Sequence, residues 1–193
     1  MKRYSKSPDC PNMAKTTSGM QVSIRTFQAT DLASILNIQR ESFTKEFCWS
    51  KREVQRFIRD PRTTCVVARS GDLLTSSIVG YCMYRHAGRA VQVWDIAVSP
   101  CHRRKGIGKA LITYVWRVMV GGRLRQRRVV CVVAADPSGT MRFFRHMGFR
   151  AVGVIDDGCR PGVDAFTMSA EPERQVEYIN RISRYYNAIT QEY

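Results

Sequence analysis

Residues 103 to 109 read Arg-Arg-Lys-Gly-Ile-Gly-Lys. Four cations and two glycines in so short a stretch suit a polyanion such as a phosphate chain. The cations offer charge-assisted hydrogen bonds, and the glycines let the backbone come close to the anion. An amphipathic run follows, with Ile107, Ala110, Leu111, Tyr114, Val115, Val118 and Met119 at helical spacing. The basic stretch therefore opens a helix, where unpaired amides and the positive dipole end favour an anion. Two common phosphate loops are excluded: G-x-x-x-x-G-K-[ST] is absent, and a dinucleotide fingerprint would need a third glycine and a βαβ setting.

Other residue types could handle protons or acyl groups. Asp95, on the run before the basic loop, is the best-placed carboxylate to accept a proton from an amine; pairing with one of the many arginines is its plain alternative. His86, His102 and His146 sit at element ends or on a short helix and form no acid-base arrangement. The seven cysteines (Cys10, Cys48, Cys65, Cys82, Cys101, Cys131 and Cys159) show no C-x-x-C spacing. That argues against a zinc site or a disulfide framework and for a reducing, cytoplasmic setting, with no metal expected. Cys101 and Cys131 read as small thiols of the fold and not as acyl carriers.

The elements that must position these groups follow from periodicity. A polar segment, residues 1 to 20, lacks apolar patterning and is expected to be a disordered tail. Residues 21 to 27 alternate as a first strand, and Thr30 with Asp31 supplies an N-cap for a helix through residue 40, whose apolar face is Leu32, Ile35 and Leu36, extended by Gln39. Ser50 and Glu53 have capping-box spacing, so a second helix starts there and ends before Asp60-Pro61. Runs near 63 to 69, 77 to 86 and 90 to 98, punctuated by Ser70-Gly71-Asp72 and Ala87-Gly88-Arg89, form an antiparallel meander.

Beyond the basic loop, the helix from residue 107 ends at Gly121-Gly122, and residues 128 to 135 read as a strand buried on both faces. A short helix over 138 to 147, with Asp136 as a candidate cap, precedes two last strands near 149 to 155 and 163 to 169. From residue 173, Val176, Ile179, Ile182, Tyr186 and Ile189 share one helical face, which suits docking on the body or on a second copy. The expected architecture is α/β of the α+β type, a mixed sheet of about six to seven strands with about four helices and a C-terminal helix. Its parts are a tail at 1 to 20, one domain at 21 to 170 and a helical extension at 171 to 193. A chain of 193 residues with 44% apolar residues fits one such core. No apolar stretch is long enough for a signal peptide or a bilayer span. The net charge of +15 favours anionic partners, a ribosome or nucleic acid among them.

The segment Val93-Trp94-Asp95-Ile96-Ala97-Val98-Ser99-Pro100, followed by Arg103-Arg104-Lys105-Gly106-Ile107-Gly108-Lys109-Ala110-Leu111, resembles motif A of the GNAT acetyltransferase superfamily. With Met147-Gly148-Phe149 and the order of elements, the likeness covers roughly residues 21 to 170. Ile96-Ala97-Val98, Glu41-Ser42-Phe43, Trp49-Ser50 and residues 164 to 168 are similar to the ribosomal-protein N-terminal-alanine acetyltransferases. The resemblance implies acetyl-coenzyme A as co-substrate. It implies that the backbone of Ile96, Ala97 and Val98 pairs with the pantetheine arm, and that Arg103, Arg104, Lys105, Gly106, Ile107, Gly108 and Lys109 wrap the pyrophosphate. Phe47 and Trp49 would line the acceptor groove, ordinary packing against the second helix being their alternative.

Four positions depart from that branch. Phe144 stands where many members carry a proton-donating tyrosine, and Val132 where the branch has a glutamate base. Pro137 replaces an asparagine, and the late tyrosine pair is missing from residues 156 to 162. The expected function is acetyl transfer to a protein N-terminal α-amine or a lysine, by direct attack. Two alternatives are a small-amine acetyltransferase and an inactive GNAT-fold module that binds RNA or ribosomes. A salt-sensitive RNA affinity without coenzyme binding would mark the latter.

Overall fold

The computed structural model describes residues 12–15, 21–71, 76–121, 128–135 and 139–171. Among these, eight strands form one mixed sheet flanked by four helices. The strands are β1 (Asn12–Lys15), β2 (Gln21–Thr26), β3 (Thr63–Ser70), β4 (Ser77–Ala87), β5 (Ala90–Val98), β6 (Arg128–Ala134), β7 (Arg150–Arg160) and β8 (Val163–Ala170). The helices are α1 (Leu32–Ser42), α2 (Lys51–Arg59), α3 (Ile107–Gly121) and α4 (Thr140–His146). In space the strands run β1-β2-β3-β4-β5-β6-β8-β7. Only β5 and β6 pair in parallel among the described strands.

Alternation along the strands feeds two apolar layers. On one face Ile35, Ile38, Val54 and Phe57 of α1 and α2 pack on Cys65, Val67, Tyr81 and Met83. On the other, Ile107, Leu111, Val115 and Trp116 of α3 and Phe144 of α4 cover Val66, Cys82, Val91, Val93, Val129 and Cys131. Burying such side chains contributes about 1.5–3 kcal/mol each and fixes which face every intervening residue must take. α2 starts with the reciprocal capping box read from the sequence: Ser50 Oγ accepts from the Glu53 amide and Glu53 Oε2 from the Ser50 amide, at 3.3 and 2.6 Å.

Four expectations need correction. Asn12–Lys15, inside the segment read as a disordered tail, pair with β2 from Asn12↔Ile24 to Lys15↔Gln21. Backbone pairing needs no apolar pattern, and it covers an edge of unpaired amides and carbonyls. Thr30 does not cap α1, because a 3-10 turn, Ala29–Asp31, runs straight into it from Gln28; Asp31 is the acid of that first turn and accepts from the Gln28 amide and, in two prongs at 2.7 and 2.8 Å, from Arg25. α4 is preceded by Gly139 in a left-handed conformation, φ 83°, while Asp136 lies outside the described residues. Strand β6 is buried on one face only: Val129, Cys131 and Val133 point into the core, but Val132 is 46% exposed. The segment from residue 172, with its expected helix, also lies outside the described residues.

Candidate active site

The site begins where two parallel strands part. β5 and β6 pair from Ala90↔Arg128 to Val93↔Cys131 and no further. Beyond that point Asp95 to Val98 stay paired with β4 on their other side, Ala97 opposite Tyr81. The β6-facing edge of Ile96, Ala97 and Val98 thus has no strand partner, although the Ile96 amide bonds the Asp95 carboxylate and the Val98 carbonyl accepts from Arg103. The register shift at Met83/Tyr84 explains the divergence: Met83 faces Asp95 and Tyr84 faces Val93, leaving Trp94 as the extra residue of a β-bulge. The bulge turns Trp94 and Asp95 toward the same side of the sheet, the α1/α2 side.

At the end of β5, Pro100–His102 form one 3-10 turn. The loop is then shaped by two left-handed residues, Arg104 at φ 61° and Gly106 at φ 84°. Glycine adopts that conformation freely, whereas Arg104 does so at a cost of order 1 kcal/mol or more. The first helical bond of α3 that starts outside it runs from the Ala110 amide to the Gly106 carbonyl, at 2.9 Å. The amides of Ile107, Gly108 and Lys109 therefore face the loop without helical acceptors. Lys109 and Arg104 are exposed beside them, and Arg103 folds back so that Nε donates to the Val98 carbonyl at 3.0 Å. Gly108 has a different role from Gly106. A Cβ there would meet the Phe143 ring at 3.2 Å, so this glycine lets α3 and α4 approach each other.

Asp95 lies under the divergence. Its Oδ2 accepts the Tyr81 hydroxyl at 2.8 Å and Gln39 Nε2 at 3.1 Å. Both donors belong to fully buried residues. Burial pushes the Asp95 carboxyl up to about 6, against the opposing bonds from Tyr81, Gln39 and the Ile96 amide. A carboxylate at that value is poised to gain and lose a proton near neutral pH. Tyr81 is itself driven upward, by burial first and then by the Asp95 charge, so its hydroxyl stays a donor. Gln39 Oε1 is buried without a described partner, a cost accepted to keep Nε2 on the carboxylate.

Sequence reasoning picked Asp95 but missed Tyr81 and Gln39. Gln39 was placed on the buried face of α1, and a glutamine on an apolar helix face is the signal that could have found it. Tyr81 sits in an apolar strand where nothing local marks its hydroxyl as engaged. Of the two acceptor-groove candidates, Trp49 meets Phe57 and Trp94 with centroids 5.5 and 5.9 Å away, so it stands beside the bulge. It also lines a cleft of about 520 Å³, which Phe47 does not. Trp94 is 45% exposed there.

The departures from family expectation are borne by the fold in different ways. Phe144 is buried in the core, edge-on to Phe143 and Phe149 at 5.1 and 5.0 Å. Val132 is exposed on the open face of β6 and brings no proton chemistry. The Cys131 thiol, near the parting of the strands, is pushed up to about 12 by burial and is a poor nucleophile there. Among the described residues no group of His, Cys, Asp or Glu could hold a metal ion, and no helix is long and apolar enough to cross a membrane.

Comparison with known proteins agrees with this geometry. The family model described as "Acetyltransferase (GNAT) family" matches residues 32–149, more than half of the chain. The chain is 27% identical over 152 residues to N-alpha-acetyltransferase RimI of Mycobacterium tuberculosis, covering 76% of this chain and 90% of that protein. It is 28% identical over 160 residues to the N-terminal acetyltransferase B complex catalytic subunit naa20 of Schizosaccharomyces pombe, covering 79% and 86%. Among solved structures, the ribosomal-protein-S18-alanine N-acetyltransferase from Escherichia coli superposes with a TM-score of 0.65 at 17% identity, covering 78% of this chain and 93% of that one.

Proposed function

The chain belongs to the acetyltransferase (GNAT) family, and from that premise we propose that its acceptor is the free N-terminal α-amine of a protein or peptide. What supports an α-amine over a lysine is the likeness to an N-alpha-acetyltransferase and an N-terminal acetyltransferase subunit; the Asp95 carboxyl, raised to about 6 at the parting of β5 and β6, supplies the base. An ammonium must lose a proton before it can attack a thioester. The reference pKa of an α-amine is about 7.7–8.0 and that of lysine about 10.4. Proton transfer to Asp95 is thus uphill by roughly 2 units from an α-amine and by roughly 4 from a lysine, at about 1.4 kcal/mol per unit. That difference of roughly 2 units belongs to the amines and holds for any base; Asp95 sets only how far uphill each transfer is.

GNAT enzymes use acetyl-coenzyme A, and the loop fits its pyrophosphate. Gly106 makes a turn that other residues reach only under strain, three amides at the start of α3 lack helical acceptors, and Arg104, Lys105 and Lys109 supply charge. When bound, the co-substrate supplies a thioester whose acyl carbon is open to the amine. The residues of this chain do the rest. Ile96, Ala97 and Val98 present a strand edge without a β6 partner, along which an extended arm would be aligned once Arg103 gives up the Val98 carbonyl. Tyr81 and Gln39 hold one oxygen of Asp95, which fixes the carboxylate that takes the amine proton. Trp49 and Trp94 wall the α1/α2 side of the bulge.

Coenzyme release measured with N-terminal peptides, with lysine peptides blocked at their N-termini, and with spermidine tests the reading. The N-terminal peptides should give the largest kcat/KM. A lysine peptide or spermidine turned over faster than every N-terminal peptide would refute it.

A further inference from the structure

The cleft beside the bulge is lined by Trp94, the chain neighbour of Asp95, and leads away from that carboxylate. It runs from Trp49 and Trp94 to Arg85 at the far end of β4, with Arg56 of α2 and Arg62 on its rim. Two carboxylates also line it, and both are committed. Glu53 closes the capping box of α2. Asp60 accepts from the amide, Nε and NH2 of Arg62 and lies 3.7 Å from Arg85. The Arg62 bonds hold the Asp60 carboxyl low, at about 2, so it stays charged and paired. Thr63, whose hydroxyl donates to the Phe57 and Asp60 carbonyls, ties the end of α2 to the start of β3 and fixes the shape of this end. Arg56 makes no ion pair with a described residue, and α2 turns Lys51, Arg52 and Arg59 outward as well. The polar end of the cleft therefore has a surplus of guanidinium donors over carboxylate acceptors.

We propose that this end is a specificity pocket for an anionic side chain of the acceptor, an aspartate or glutamate at the second to fourth residue. The inference rests on the N-terminal acceptor assigned above. Its spacing comes from the strand register. Asp95 is opposite Met83, and Arg85 is two residues further along β4, about 7 Å away at roughly 3.3 Å per residue. An extended acceptor with its amine at Asp95 covers that span in two residues. A carboxylate there can meet the guanidiniums while Trp94 flanks the intervening backbone. Planar guanidiniums match a carboxylate better than ammonium groups would.

The experiment uses the full chain and three peptides with a common first residue and Glu, Gln or Lys at positions two to four. Expected kcat/KM falls in the order Glu, Gln, Lys, with at least fivefold between the extremes. The gap should shrink in 0.5 M salt, because a rim charge is screened. Arg56→Glu should narrow or invert the preference, and Arg85→Gln should narrow it, with the coenzyme-induced melting shift as the folding control for each. Equal kcat/KM for the three peptides, or an unchanged preference in both folded variants, overturns the pocket while leaving the N-terminal acceptor standing. Turnover of spermidine with none of the three peptides overturns the acceptor reading and the pocket with it.

Discussion

Replacing Asp95 with asparagine should have opposite effects on stability and turnover. The carboxyl moves from an ordinary 3.8 to about 6 on folding, with burial the leading cause. The folded chain therefore binds a proton more tightly than the unfolded chain, and ionising Asp95 at neutral pH opposes folding. Some two units at about 1.4 kcal/mol each set an upper bound of about 3 kcal/mol. Asparagine removes the charge and keeps an oxygen for Tyr81 and Gln39. At pH 8 the variant should melt higher, by up to roughly 6–12 °C if the full amount is recovered. The advantage should shrink as pH falls through 6 and vanish only below about 3, where the wild-type carboxyl is protonated in both states. Over the same range kcat/KM should fall by about 10² to 10⁴, the usual cost of losing a positioned base, and the limb of the pH–rate profile near 6 should disappear. Calorimetric scans from about pH 3 to 8 paired with coenzyme-release kinetics read both quantities. A variant that melts at or below the wild type at pH 8 would refute the desolvated carboxylate; one with wild-type turnover would remove Asp95 from the chemistry.

Further expectations follow from neighbouring groups. Tyr81→Phe removes a bond that lowers the Asp95 pKa, so the kinetic limb should move above 6 and kcat at pH 7 should drop; an unmoved limb would show that the hydroxyl does not tune the base. Gly106→Val places a branched side chain at φ 84°, which should cost about 1–3 kcal/mol and abolish the melting shift given by coenzyme A. Retention of that shift would show that the loop has been misassigned. In the parent chain coenzyme A should raise the melting temperature well beyond NAD or ATP at equal concentration, and equal shifts would remove the specificity of the loop. Removing residues 1 to 18 takes away β1, four strands from β5 in the sheet order. Coenzyme binding should survive with a modest loss of melting temperature, and loss of binding would mean that the N-terminal segment reaches the site.

What the sequence disclosed depended on the range of the interaction. The capping box of α2, the amphipathic spacing of α3 and the basic loop are local signals; the first and last lie where spacing and charge put them, while the buried face of α3 is rotated to take in Ile112 and Trp116 and leaves Val118 exposed. β1 escaped because its pairing is a backbone matter on which Asn12 to Lys15 carry no side-chain signature. The double burial expected of β6 failed because an apolar run cannot say which face a helix will cover; Val132 remains open beside the parted strands. The bulge at Trp94 escaped for a related reason. It is a register shift against β4, visible only once Met83 and Tyr84 are paired with their partners. Gln39 and Asp95 are 56 residues apart in sequence, so the contact that orients the carboxylate could not be read from either neighbourhood alone.

The bulge also accounts for how the proposed base comes to lie on β5 in a chain whose β6 carries valine at the position of the family glutamate. In a regular strand, neighbours at 94 and 95 would point to opposite faces, and one of them would lie under α3. The extra residue breaks the alternation, so Trp94 can wall the cleft while Asp95 turns to the same side, within reach of Tyr81 from β4 and Gln39 from α1. A carboxylate on β6 would stand on the open face, where Val132 is half exposed, with a pKa near its ordinary value. Under α1 the same group is desolvated and becomes a stronger base, at the expense of folding stability. The double substitution Asp95→Asn with Val132→Glu separates the two placements. If placement under α1 is what makes the base effective, the exposed glutamate should restore little of the lost turnover, and any restored activity should titrate nearer pH 4 than 6. Recovery of full activity with a limb still near 6 would show that the parting of the strands, and not the buried tyrosine and glutamine, sets the basicity of the site.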